Sequence, residues 1–197
     1  MNENQAKDIL HRYLRDAREA LVWKLDGLSE YDVRRPLTPT GTNLLGLVKH
    51  VAGLASEYFG TVFDRPFPEA LPWLAEDAEH NADMWAAAQE TREGIVALYQ
   101  RAWEHADATV EALGLDAAGR VPWWTGQRGE VTLHQILVHM IAETDRHAGQ
   151  ADILREQLDG SAGLLSRNPN MPGQDSTWWE EYRERVEQAA RDASWEG

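Results

Sequence analysis

Residues 139–160 read HMIAETDRHAGQADILREQLDG and carry His139, Glu143 and His147 at four-residue intervals. Imidazoles and carboxylates bind divalent ions through nitrogen and oxygen, and the same groups form ordinary ion pairs. Residues four apart are neighbours on a helix surface, so Glu143 with His147, or His139 with Glu143, can share one ion or form one salt bridge. His139 and His147 would stand about 12 Å apart along the axis, which argues against all three in one coordination sphere. The helix offers two ligands, and a third must come from elsewhere. At about 100° per residue with His139 at zero, Glu143 falls near 40° and His147 near 80°, among Ile136 near 60°, Met140 near 100° and Leu133 near 120°. Glu143 and His147 thus lie on the inward arc, with His139 at its margin. A carboxylate there protonates or finds a cation, because burying it alone is costly.

His50 is the candidate third ligand. It sits among Leu47, Val48, Val51 and Leu54, within or beside an apolar stripe. A histidine there serves either as a hydrogen-bonded core residue or as a ligand. His11, His80, His105 and His134 have polar neighbours and are expected to face solvent. Arg155 falls near 160°, suited to a buried acid or a substrate carboxylate, by the same rotation of about 100° per residue. Trp123 and Trp124 precede the histidine-bearing helix and Trp178 and Trp179 begin the last one, as end-caps over the core or as a rim over a site.

Amphipathic spacing predicts helices from Gln5 to about Leu28, Asn43 to about Phe63, Asn81 to Leu113 with a bend near Gly94, and Thr132 to about Leu158, the last ended by Gly160. Gly46, Gly53 and Gly60 are poor helix formers and are expected to mark close helix–helix approach. Residues 34–43, 64–73, 114–130 and 168–176 are rich in proline, glycine and polar residues and read as loops, the third with a short strand-like turn. A short fifth helix is expected over residues 177–195, with Ser176 as its cap. The fold class is therefore all-α: a four-helix bundle with a short additional C-terminal helix, as one domain over residues 1–197.

The net charge of −14 disfavours phosphate backbones and anionic lipid, so neither nucleic acid nor membrane is an expected partner. With no cysteine, the chain can form no disulfide and offers no thiolate ligand or nucleophile, and any thiol chemistry must use an external thiol. No signal-peptide pattern opens the sequence and no apolar run approaches a membrane span, so a cytoplasmic location is expected. The apolar tryptophan and alanine faces are compatible with a homodimer.

Several segments carry a resemblance: NLLGLVKH, VPWW, HMIAETDRHAGQADILRE and WWEEYRERVEQAA. On them the sequence resembles the DinB/YfiT-like superfamily of metal-binding helical bundles, and more closely a branch of actinobacterial type with mycothiol-dependent or metal-dependent enzymes. The resemblance implies a divalent-metal site from the histidine of GLVKH, His50, and the pair in ETDRHAGQ, Glu143 and His147. Zinc is the foremost candidate, with nickel, iron or manganese as alternatives. It implies an S-transferase that joins a low-molecular-weight thiol such as mycothiol to a small electrophile. A metal-dependent hydrolase is one alternative, and a non-catalytic ligand-binding or stress-response module is another. His139 matches a histidine common in the branch and is expected behind the ligands or facing substrate. Trp123, Trp124, Arg155 and Trp178 are the expected substrate contacts. Where the branch often has another histidine, this chain has Gln150.

Overall fold

Asn2 opens the first helix by accepting the Gln5 amide, while the Gln5 side chain accepts the Asn2 N–H, a reciprocal capping box. The computed structural model describes residues 2–194. Helix α1 (Glu3–Val22) buries Leu14, Ala17, Ala20 and Leu21, then tightens into a 3-10 turn over Trp23–Leu25. A five-residue helix, α2 (Glu30–Arg34), follows with Ser29 as its cap; its brevity left no periodicity to read. Helix α3 (Leu44–Phe59) is capped by Asn43 and buried on nearly every side. Helices α4 (Arg92–Ala112), α5 (Leu133–Asp159) and α6 (Ser176–Ser194) complete the set. The core joins α3 to both α4 and α5, and α5 to α1. Among the described residues no helix is long and apolar enough to cross a membrane.

The architecture is the expected all-α bundle, with three differences in detail. The helix expected from Asn81 begins only at Arg92, with Thr91 as its cap, so Gly94 lies in the first turn rather than at a bend. Five carbonyl oxygens of residues 82–90 accept from side chains of other elements, where a helix would use its own amides. Ala82 and Trp85 accept from Lys49, Met84 from Asn43, and Ala87 and Glu90 from Arg34. Of the glycines expected to mark close helix–helix approach, Gly46 marks the approach of this connection instead, a Cβ there lying 1.9 Å from the Met84 carbonyl oxygen, while Gly53 meets only the Leu74 and Trp73 side chains at ordinary distances of 3.4 Å or more. Gly60 ends α3. The last helix is long rather than short, buries no residue, and is capped by Asp175 rather than Ser176, the Asp175 carboxylate accepting the Trp178 amide. Trp195, where that helix was expected to end, lies outside the described residues, as do positions 1, 196 and 197.

Strand β1 (Ala118–Arg120) pairs antiparallel with β2 (Glu130–Thr132), Gly119 opposite Val131. This hairpin is the expected strand-like turn, and it holds Trp123 and Trp124 beside the start of α5. Thr132 caps α5, and Gly160, in the left-handed conformation at φ 78°, closes it.

Side chains latch α1 to α4. Arg18 donates twice to Asp107, at 2.8 and 2.6 Å, and the His11 Nε2–H donates to the same carboxylate at 2.6 Å. His11 is therefore sheltered rather than solvent-facing, and so is His105, which donates to the Arg65 carbonyl. Burial alone would push the Asp107 carboxyl up, but the bonds from His11 and Arg18 outweigh it and hold the group at about 2. An unfolded aspartate titrates near ~3.9, so this stabilisation is complete above that value and disappears as pH falls through about 2. Asp107→Asn is expected to cost about 1–3 kcal/mol at neutral pH. Urea midpoints of the variant should also vary less with pH between roughly 4 and 2 than those of the wild type. Equal slopes would rule the latch out.

Candidate metal and thiol-transfer site

Helices α3 and α5 run side by side in opposite directions. The His50 and His147 rings meet edge to face, centroids 4.8 Å apart, and two turns away Tyr58 meets His139 at 4.7 Å. That register puts Leu54 level with Glu143. The seam therefore presents, in order, an imidazole pair, a carboxylate and an aromatic group.

His147 is 8% exposed. Its Nδ1–H donates to Gln150 Oε1 at 2.8 Å, one turn further along α5. Burial pushes this imidazole below the usual histidine range, against the hydrogen bond to Gln150, and the neighbouring His50 adds to the push. It is thus neutral near pH 7, with a lone pair on Nε2. The His50 Nδ1–H donates to Asp83 Oδ2 at 2.5 Å, and because a carboxylate only accepts, its Nε2 is the free nitrogen as well. Anchoring one ring nitrogen to a carboxylate or carbonyl while the other meets the ion is how metal-binding histidines are commonly oriented.

The Glu143 carboxylate lies 3.8 Å from His147 Nε2, too far for a hydrogen bond. Two ligands each about 2.0–2.2 Å from one ion stand roughly 3.4 Å apart in tetrahedral geometry, so the pair needs only a small adjustment to share one. As the side chains stand, no three His, Asp or Glu residues among the described residues form a coordination group. The donor set nevertheless suits a divalent ion: two imidazoles, each anchored through Nδ1 with Nε2 turned away from that bond, and one half-exposed carboxylate able to swing.

His139 lies beyond Glu143, its ring 5.1 Å from Trp124 and 4.7 Å from Tyr58. Burial lowers its pKa, against the attraction of Glu143, and keeps it neutral near pH 7. The Trp123 indole N–H donates to the Tyr58 hydroxyl at 3.3 Å, while its ring remains 45% exposed. The four rings of Tyr58, Trp123, Trp124 and His139 make a wall at the hairpin end of the seam.

Arg155 and Trp178 are not brought to this group. Arg155 donates to the carbonyls of Lys24 and Asp26 and to the Asp159 carboxylate, tying the end of α5 to the turn after α1. Trp178 stacks on Tyr182 and meets Trp179 edge-on, all on α6. Sequence reasoning did not find Asp83 or Tyr58. Asp83 is 33 residues from His50 in a stretch that reads as helix, and no spacing rule links the two.

An antiparallel bundle whose central seam carries a facing histidine pair defines this as a helical-bundle protein of the DinB-like class. The sequence matches the mycothiol-S-transferase family over residues 9–160, from early α1 to the cap of α5, and the chain belongs to that family. No curated protein matches it. Family membership implies mycothiol, or a thiol like it, as the sulfur-bearing substrate.

Proposed function

We propose that this chain is a metal-dependent S-transferase that joins mycothiol to a small electrophile, with His50, His147 and Glu143 as the metal ligands. The observation that carries the reading is the facing imidazole pair, each ring held through Nδ1 with Nε2 left free. A divalent ion in such a site, zinc foremost and nickel, iron or manganese otherwise, lowers the pKa of a bound thiol and makes sulfur nucleophilic near neutral pH.

The protein's own part is to place the reactants. With no cysteine in the chain, the attacking sulfur comes from the cosubstrate. Its lone pair forms the new S–C bond while the bond from that carbon to the leaving group breaks with its electron pair. The thiol proton passes to solvent. Trp123, Trp124 and Tyr58 give the electrophile an apolar surface, and neutral His139 faces it without adding charge. Glu143, 35% exposed, sits between the histidine pair and that wall.

The test is conjugation by metal-loaded, untagged protein of mycothiol with chloro-aromatic and epoxide acceptors, read by mass spectrometry. The expected product is the thioether. A water adduct instead would make the protein a hydrolase, and saturable ligand binding without turnover would make it a binding module. Trp124→Ala is expected to raise KM for an aryl acceptor by roughly tenfold, the worth of about 1.4 kcal/mol of lost aromatic contact, and to change kcat little. An unchanged KM would remove the tryptophan wall from the site.

A further inference from the structure

Lysine is among the side chains least often buried, yet Lys49, immediately before His50, is 3% exposed. Its ammonium donates to the carbonyls of Ala82 at 2.9 Å and Trp85 at 3.0 Å, and lies 2.9 and 3.0 Å from the two carboxylate oxygens of Glu90. The Trp73 ring covers it at 4.4 Å. Glu90 also accepts the Ala87 amide at 2.7 Å. Apart from the Trp73 ring, every one of these contacts falls within residues 82–90, the irregular connection that carries Asp83.

The connection has no helix or strand of its own to fix its shape, and its carbonyls are spent on Lys49, Asn43 and Arg34. Lys49 grips it at residues 82 and 85, on either side of Asp83, and at its far end through Glu90. Lys49 and His50 are successive residues of one rigid helix. The grip therefore sets the distance between the Asp83 carboxylate and the His50 ring.

We propose that Lys49 is a positioning residue: it clamps residues 82–90 onto α3 so that Asp83 holds the Nδ1–H of His50 and Nε2 is presented to the seam. The consequence for metal affinity rests on the ligand set proposed above, but the consequence for the His50 tautomer does not. A purely structural ion pair behaves otherwise. Replacing both partners of a buried pair by apolar residues of similar size is often neutral or stabilising, and it would leave His50 undisturbed.

The test uses the full chain with Lys49→Met and, because that change strands Glu90, the double variant Lys49→Met/Glu90→Leu. In metal-free protein, ring 15N shifts of His50 should report a single Nδ1–H tautomer in the wild type and a mixture in both variants. Zinc affinity, measured by competition with a chelator, should fall by about 10–100-fold, as expected for loss of a partner behind a ligand. In an Asp83→Asn background, Lys49→Met should lower that affinity little further. A double variant of wild-type urea midpoint that still shows the shifted tautomer marks the role as positional. One that keeps the single Nδ1–H tautomer overturns the proposal, whatever its stability. If the wild type binds no zinc, the metal reading fails and the tautomer result alone decides the role of Lys49.

Discussion

Replacing His147 by alanine is expected to remove the divalent ion and to lower thiol conjugation by well over 100-fold, because even the groups that merely orient such ligands are worth about 10–100-fold. His50→Ala should do the same from the other helix. The two effects should not add, since losing either imidazole empties one site. Helix content should survive both changes. Among the described residues neither ring anchors a second element through more than one hydrogen bond, and His147 bonds only to its own helix neighbour Gln150. Circular dichroism, elemental analysis and the conjugation assay on the same preparations separate loss of the site from loss of fold. Full metal occupancy in both variants would exclude the histidine pair as ligands.

The second large effect is structural in origin. Gly46→Ala places a Cβ 1.9 Å from the Met84 carbonyl oxygen and 2.5 Å from its carbon, and both are backbone atoms that no rotamer change can move. The connection must lift from α3. Doing so breaks the bond from Asn43 Nδ2 to the Met84 carbonyl and strains the neighbouring grip of Lys49. Overpacking of this kind costs about 1–3 kcal/mol, from which the better helix propensity of alanine recovers up to about 1 kcal/mol. Gly53→Ala is the control on the same helix. Its added Cβ would meet only Leu74 and Trp73 side-chain atoms at 3.4 Å or more, so it should be neutral or stabilising by up to about 1 kcal/mol. The urea midpoint of Gly46→Ala should fall while that of Gly53→Ala holds or rises, and Gly46→Ala should also weaken zinc binding as Asp83 leaves His50. Equal midpoints would mean that the connection does not lie tightly on α3.

The parts of this molecule that sequence pattern could reach are those governed by local rules. Amphipathic spacing located α1, α3 and α5, and Gly160 closed α5 because a left-handed cap at that point suits glycine. The inward arc of α5 held His147, now seen to be 8% exposed, and put His139 at its edge, where it is half-buried. The beginning of α4 escaped because residues 82–90 resemble a helix in composition. What decides their shape is a set of hydrogen bonds from Lys49, Asn43 and Arg34, up to 56 residues away, and no periodicity records them. Asp83 was hidden for the same reason. Arg155 sits on the apolar arc as its angle indicated, but its fork meets two carbonyls and Asp159, a pairing set by the turn after α1 rather than by the site. The apolar residues of α6 were legible, yet the stack they make, Trp178 on Tyr182, lies within α6 itself, and none of the helix's described residues is buried.

The most direct measurement is elemental analysis of the untagged wild-type chain after exposure to zinc, nickel, iron or manganese and removal of loosely held ions. About one divalent ion per chain is expected, lost when His50 or His147 becomes alanine. A folded wild-type protein that retains none of these metals would contradict the shared-ion site on α3 and α5.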